Sequence, residues 1–325
     1  MMEEAELCFP QLLNTSCRKP APPHSEEVLI YILLFFISLL TATLNLLVIT
    51  SVSHFRQLHS PTNLILLSLA VSDFFVGLLV MPIEILLKGT CWVLGDLTCA
   101  LYFCLSITFV SASVGSMVLI SVDRYVAICD PLHYPTRITE KVVGVSICVC
   151  WISSALYSIF LSYDNLKHPG RYTSCYGECV VNIAGDVDIV VGFIIPITVI
   201  VVLYMRVFVV AVSQARAMRS QVTAVRLQLS VTLVTMKSEL KAARTLGAVV
   251  TVFLICYSPC YCVSLTDRNI LIGSSTLAFM GFLMYFNSCL NPVIYTLFYP
   301  WFRKAVRLIV TLQILQPDSC ETLLL

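Results

Sequence analysis

Seven stretches of this chain are apolar over twenty residues or more, at approximately 28–52, 62–87, 97–129, 142–162, 187–212, 243–265 and 275–298. A hydrocarbon core of about 30 Å is crossed by about 20 helical residues, so each stretch is long enough to span a bilayer. Spanning strands would show alternating segments of about ten residues, which these continuous runs do not, so a β-barrel is excluded. Composition agrees: 58% of residues are hydrophobic and 12% charged, against about a quarter charged in a soluble domain. A net charge of +1 also excludes a nucleic-acid partner and a disordered chain. The expected fold is all-α, a seven-transmembrane helix bundle surrounded by membrane lipid.

Charge orients the bundle. The first residues, MMEEAELCFPQLLNTSCRKP, are acidic and polar with no basic segment before an apolar one, so they do not read as a cleavable signal peptide. With the amino terminus outside, fourteen of the 20 basic residues fall on the cytoplasmic side, among them Arg56, Arg137, Lys141, Arg206, Arg303 and Lys304. That bias orients the chain in the plasma membrane with its amino terminus extracellular. The outer side is acidic and draws cations. The organisation expected is an extracellular segment 1–27, a bundle 28–298, an amphipathic helix 299–312 and a cytoplasmic tail 313–325.

Six of the 15 cysteines lie on outer segments: Cys8, Cys17, Cys91, Cys99, Cys175 and Cys179. An even number in an oxidising compartment points to disulfides, but six cysteines allow fifteen pairings and spacing does not choose among them. Asn14-Thr15-Ser16 is a glycosylation sequon on the same side.

Polar residues inside the apolar runs are costly and therefore informative. They are Asn45, Asp73, Asp123, Arg124, Asp188, Asn287 and Asn291. A row of carboxylates, a filter-like Gly-rich loop or paired broken helices would indicate a channel or transporter, and none is seen. Nothing in the chain reads as a nucleophile-and-base pair or a metal-binding site, so an enzyme is not expected.

Asp123-Arg124-Tyr125 ends the third run, Cys256-Tyr257-Ser258-Pro259 lies in the sixth and Asn291-Pro292-Val293-Ile294-Tyr295 in the seventh. With Asn45, Asp73, Trp151 and Pro196, these resemble rhodopsin-like (class A) G-protein-coupled receptors over essentially the whole chain. The run from Asn287 to Tyr295, continuing through Tyr299-Pro300-Trp301-Phe302, is similar to the fingerprint of trace-amine-associated receptors. Leu7-Cys8-Phe9-Pro10 and the segment KSELKAARTLG from Lys237 to Gly247 resemble the fish-type branch of that subfamily.

Arg124 can pair with Asp123 and with Glu239 at the inner end of helix six, pinning helices three and six together in an inactive state. Outward movement of helix six then opens a cleft for a G protein, a two-state shift biased from across the membrane. The resemblance adds Tyr204 and Tyr295 as residues that hold the open state, and Pro196, Val114 and Phe253 as a packing relay. Tyr257 stands where the family usually has Trp. Asp73, Ser113, Asn287 and Asn291 match a mid-membrane polar pocket for which Na⁺ is the expected ion by resemblance; a protonated Asp73 without an ion is the alternative. No other cofactor is implied.

Amine receptors of this family carry an Asp in helix three, seven residues after the disulfide cysteine, where this chain has Ser106. Asp188 in helix five lies eight residues before Pro196, about 12 Å above it, at the level of a ligand pocket. It is the replacement anchor, resembling the branch that lacks the helix-three Asp and whose counter-ion has moved to helix five. Asp186 is about 200° around the helix, so the two acids cannot face the same pocket. Tyr257, Tyr261 and Tyr285, with Tyr102, Phe103, Ile107 and Val110, match inward-facing places, where the aromatics among them can cage an alkylammonium. Glu84 is a second acid that would admit a diamine.

The resemblance also implies a Cys99–Cys179 disulfide and the pairs Cys8–Cys175 and Cys17–Cys91, stapling the amino terminus over the pocket mouth. It implies an amine ligand, a stimulatory G protein raising cAMP, and olfactory neurons, including their cilia. The alternatives are a receptor for a biogenic amine such as serotonin or for a non-amine odorant, and a heptahelical protein that binds without signalling. Segment 213–242 is expected to extend helices five and six toward the G protein. Phe302, Val306 and Ile309 share one face after the bundle and Arg303, Lys304 and Arg307 another, as in an interfacial amphipathic helix. Cys320 is a candidate palmitoylation site.

Overall fold

A computed structural model describes residues 6–12, 14–20, 25–183, 185–221, 247–248, 250–262, 274–298, 300–316 and 319–321. Glu239, most of segment 213–242 and the ends of the expected sixth run lie outside the described residues. Among the described residues there is no strand, only two isolated β-bridges outside the helices.

Helix α1 spans Ser25–His54. Pro61 opens α2 at a first-turn position where its missing N–H costs nothing, and Ser60 caps the turn by accepting from the Asn63 amide. α2 runs Pro61–Phe75, widens into a π-turn Val76–Val80 and continues as Met81–Gly89. Pro82 accounts for the widening, because its ring cannot coexist with a regular hydrogen bond to the preceding turn. α3 is Asp96–Cys129, and α4 is Glu140–Leu161, capped by Thr139. α5 begins with the turn Gly185–Val187, passes through a second π-turn Asp188–Ile194 and continues as Ile195–Gln221. Val250–Cys262 is the described part of α6, α7 is Ser274–Phe298 with Pro292 inside it, and α8 is Pro300–Val310. By length and composition, α1 to α5 can each cross a membrane.

The packing is that of a bundle in lipid. Large apolar side chains such as Ile32, Phe36, Leu156, Phe160 and Val202 are exposed, while Asn45, Asp73, Asn287 and Asn291 are fully buried. α3 packs against α2, α4 and α5, and α1 against α2, α7 and α8. Where α1 meets α2, Gly77 lets the backbones close. A Cβ there would stand 2.7 Å from the Ala42 amide nitrogen, and Ser38 donates to the Gly77 carbonyl at 2.7 Å. Trp151 of α4 donates to Ser68 Oγ at 3.0 Å, and Ser68 lies 3.1 Å from Ser116 Oγ, linking α2, α3 and α4. In α8, Trp301, Phe302 and Ala305 are buried, while Arg303, Lys304 and Arg307 are exposed.

Candidate functional site

Asp188 opens the π-turn of α5, partly buried, whereas Asp186 is exposed. The phenol of Tyr157 in α4 donates to Asp188 Oδ1 at 2.8 Å. Among the described residues no cation pairs with Asp188 and no donor reaches its second oxygen. A carboxylate half removed from water with one oxygen unmet is a high-energy acceptor. One turn on, Gly192 faces the same pair. A Cβ at Gly192 would stand 2.8 Å from Asp188 Oδ1 and 3.1 Å from the Tyr157 hydroxyl. Neither Tyr157 nor Gly192 stands out in the sequence. The signals are only a tyrosine on a helix with a broad lipid-facing side and a glycine inside an apolar run.

Ser106 is buried, and its hydroxyl donates to the Tyr102 carbonyl one turn back, so it serves its own helix. The Tyr102 hydroxyl reaches the Val80 carbonyl and Glu84 Oε1, both at 3.1 Å. This brings Glu84 of α2 and Tyr102 of α3 together where the π-turn bends α2. Aromatic pairs line α5, α6 and α7: Phe193 stacks on Tyr261 with centroids 4.3 Å apart, and Phe253 lies 4.4 Å from buried Tyr257. Tyr285 and Val110 pack on the cluster of Val76, Val80, Met81, Ile85 and Phe282, which Phe109 also joins. Phe103 makes an edge contact with Tyr102, and Ile107 is partly buried one turn on.

Deeper in the bundle, Asp73 is fully buried and accepts three hydrogen bonds. Ser113 and Ser288 donate to Oδ1 at 2.9 and 2.8 Å, and Asn291 Nδ2 donates to Oδ2 at 2.8 Å. Ser288 was not among the residues expected here. Asn287, which was, is fully buried with neither amide atom bonded, and Asn291 Oδ1 and Asn45 Oδ1 are likewise without a partner. Asn45 Nδ2 donates to the Thr41 and Ser288 carbonyls.

At the far end of α3, Arg124 Nε donates to Asp123 Oδ2 at 2.8 Å, and its Nη2 lies against both Asp123 and Thr62. Thr62 and the Tyr134 hydroxyl each donate to Asp123 at 2.9 Å, so buried Asp123 is saturated by α2, by its neighbour and by the short helix Tyr134–Arg137. Burial pushes the Tyr134 hydroxyl above its usual range. Beside it, the side-chain hydrogen bond from His133 and the Arg137 guanidinium hold the partly exposed Asp130 carboxyl below the ordinary carboxylate value. Tyr125 is partly buried against Ile128 and Val207. Tyr204 of α5 abuts Gly247, its hydroxyl occupying the space a Cβ would need, while Tyr295 is buried in the main core with Ile294 and Trp301. Pro196 lies in α5 and Pro292 in α7.

The opposite end is capped. Residues Leu7 and Arg18 pair antiparallel, with the Cys8 amide bonding the Cys17 carbonyl at 2.8 Å. Ser16 then pairs with Tyr176, and the Cys17 amide bonds the Tyr176 carbonyl at 2.9 Å, which places Cys17 beside Cys175. The Trp92 amide bonds the Gly177 carbonyl at 2.8 Å, and Gly177, at φ +110°, packs on Cys8. The disulfides are therefore Cys8–Cys91, Cys17–Cys175 and Cys99–Cys179. This corrects the Cys8–Cys175 and Cys17–Cys91 pairs that the resemblance implied: the register of the amino-terminal pairing on the loop puts each cysteine beside the other partner. The cap carries an open pocket of about 410 Å³ lined by both corrected disulfides, Arg18, Trp92 and Glu178. Asn14 is exposed in the cap, and in the loop below it the Tyr172 hydroxyl and Arg171 hold Asp164 under its usual carboxylate value.

Comparison with known proteins agrees with this arrangement of polar sites inside a helix bundle. The family model "7 transmembrane receptor (rhodopsin family)" matches residues 44–295. The chain is 37% identical to mouse trace amine-associated receptor 4, over 97% of this chain and 94% of that protein. It is 38% identical to zebrafish trace amine-associated receptor 13c, over 98% and 96%, and 37% identical to rat trace amine-associated receptor 8b, over 98% and 96%. A multi-pass membrane receptor rather than an enzyme, the chain belongs to the rhodopsin family of seven-transmembrane receptors and, within it, to the trace-amine-associated receptors.

Proposed function

We propose that this receptor binds an extracellular amine through Asp188 and signals through a stimulatory G protein to cAMP. The observation that carries the reading is the half-buried Asp188 carboxylate, which has one oxygen held by Tyr157 and no cationic partner among the described residues. A protonated amine supplies the missing charge and donors together, an interaction that neutral odorants cannot make. Ser106 removes the carboxylate from the helix-three position, so the ammonium points toward α5. Tyr257, Tyr261 and Tyr285, with Tyr102, Phe103, Ile107 and Val110, supply aromatic and apolar surface for the rest of the ligand. The relatives' printed names, trace amine-associated receptors, support the amine class.

In this reading the amino terminus and the disulfide cap are extracellular, with Asn14 glycosylated, and Arg124 faces the cytoplasm. Asp123, Thr62 and Tyr134 restrain Arg124 in the resting state. Ligand contact at α5 and α6 shifts the packing of Pro196, Val114, Phe253 and Tyr257, and α6 moves away from Arg124. Tyr204 and Tyr295 then hold the cleft open for the G protein, where Asp123-Arg124-Tyr125, Asn291 and Pro292 complete the coupling end. Na⁺ fits the set Asp73, Ser113, Asn287 and Asn291, because Asn287 and Asn291 each bury an amide oxygen without a partner and Asn291 also bonds the buried Asp73 carboxylate. It would stabilise the resting state. The plasma membrane of olfactory sensory neurons, cilia included, is the proposed location.

The test measures cAMP in cells expressing the wild type or Asp188→Asn, against phenethylamine, triethylamine and cadaverine, with surface levels recorded. The expected result is a wild-type response that Asp188→Asn loses by at least about a hundredfold in potency, as removal of one partner of a desolvated charge pair implies. An undiminished response in the variant excludes the anchor. Silence of the wild type to the whole panel excludes the amine reading.

A further inference from the structure

We propose that Tyr157 and Gly192 form a cradle that positions Asp188, Tyr157 by holding Oδ1 and Gly192 by leaving room for both groups, so that Oδ2 is the oxygen presented to the ligand. The proposal rests on Asp188 being the amine anchor and adds two specificity-determining positions to it.

An aspartate at the start of a helix has two free side-chain torsions, and an unheld carboxylate at a half-buried position turns toward water. Here a single donor fixes it: the Tyr157 hydroxyl, 2.8 Å from Oδ1. That donor comes from a different helix, so the bond also fixes α5 against α4 at this level. Around it, α4 presents apolar side chains outward, with Ile152, Leu156, Ile159 and Phe160 all exposed. Tyr157 is the partly buried residue among them and spends its one proton on Asp188.

The π-turn supplies the rest. Asp188–Ile194 carries an extra residue per turn, which rotates Asp188 relative to Pro196 from where a regular helix would put it. Gly192 lies under the carboxylate within that turn. A Cβ would meet Oδ1 at 2.8 Å and the Tyr157 oxygen at 3.1 Å, both closer than ordinary contact, so a side chain at 192 makes the carboxylate and the phenol give way. Oδ1 is thus enclosed by a phenol and a glycine. Oδ2 has no donor among the described residues.

The test uses the full receptor, cAMP dose–response and surface labelling, with phenethylamine, triethylamine and cadaverine as probes. Four single variants are compared, Asp188→Asn, Tyr157→Phe, Tyr157→Leu and Gly192→Ala, with the double variant Tyr157→Phe/Gly192→Ala. Asp188→Asn is expected to be silent. Tyr157→Phe keeps the ring and loses only the proton, and is expected to raise the half-maximal concentration about tenfold at unchanged surface level. Gly192→Ala should do the same, and the double variant should be no worse than the poorer single, because both changes break one bond. Tyr157→Phe indistinguishable from wild type, with Tyr157→Leu impaired and Asp188→Asn silent, assigns Tyr157 to packing and overturns the cradle while leaving the anchor in place. Losses that multiply to about a hundredfold in the double variant also overturn it. A full response from Asp188→Asn overturns both the anchor and the cradle.

Discussion

Tyr102 offers one proton to two acceptors at equal distance, the Val80 carbonyl and Glu84 Oε1. The bond to the carbonyl exists whether or not Glu84 has a ligand, so Tyr102 can release Glu84 without leaving its own hydroxyl unsatisfied. A second ammonium would therefore compete with Tyr102 for Glu84 without stranding the phenol. Glu84→Gln is expected to lower cadaverine potency by about tenfold and leave triethylamine potency within about twofold, the loss of one charge-assisted bond made only by the diamine. Equal losses for both probes, read in the same cAMP assay, would assign Glu84 to packing between α2 and α3. At this scale the sequence was informative about which acids lie in apolar surroundings and silent about their partners. Asp188 and Glu84 are conspicuous in apolar runs, but a tyrosine among the lipid-facing residues of α4 looks like any interfacial aromatic until the helices are assembled.

Helices are legible for a different reason. Each apolar run of about twenty residues must be helical in lipid whatever its neighbours do, because its backbone has no other partner. The two π-turns were not legible, since one extra residue shifts the phase of a pattern that is apolar on every side. Their consequence is local and testable. Val76–Val80 brings Gly77 against α1, where a Cβ would meet backbone, and backbone cannot swing aside. Gly77→Ala is expected to destabilise the bundle by about 1–3 kcal/mol through overpacking, read as a lower melting temperature of the detergent-solubilised receptor. An unchanged melting temperature would mean that α1 and α2 separate freely. The cap shows the limit of resemblance: the sequence supplies the cysteines, but one register of backbone pairing between Ser16 and Tyr176 decides who meets whom. Non-reducing digestion should yield linked peptides containing Cys8 with Cys91 and Cys17 with Cys175. Cys8→Ser and Cys91→Ser should each lower stability by about 2–4 kcal/mol, and their combination by no more than either alone. Linkage of Cys8 to Cys175 would refute the pairing.

Across the whole molecule, two buried carboxylates, each bonded from several helices, lie on the path between the cap and the far end of α3. Asp123 is bonded from three directions, and Asp73 gathers α3 and α7 around α2 through Ser113, Ser288 and Asn291. Unbonded amide oxygens of Asn287 and Asn291 sit in the same polar layer, where an unmet buried acceptor costs about 1–3 kcal/mol. A cation bound there would satisfy them and neutralise Asp73 in one step, and would do so only while α2, α3 and α7 keep this arrangement. A ligand that binds one state alone stabilises it by about 1.4 kcal/mol at ten times its Kd. Exchanging potassium chloride for sodium chloride at constant ionic strength is therefore expected to raise the melting temperature of the wild type. It should also weaken amine potency by a similar factor, because in the proposed mechanism the cation and the agonist favour opposite states and such coupling is reciprocal. Asp73→Asn should abolish both effects. Sodium sensitivity that survives in Asp73→Asn would place the ion elsewhere. Equal melting temperatures in the two salts for the wild type would mean that the polar layer is satisfied by water and that its role in signalling is rearrangement of hydrogen bonds alone.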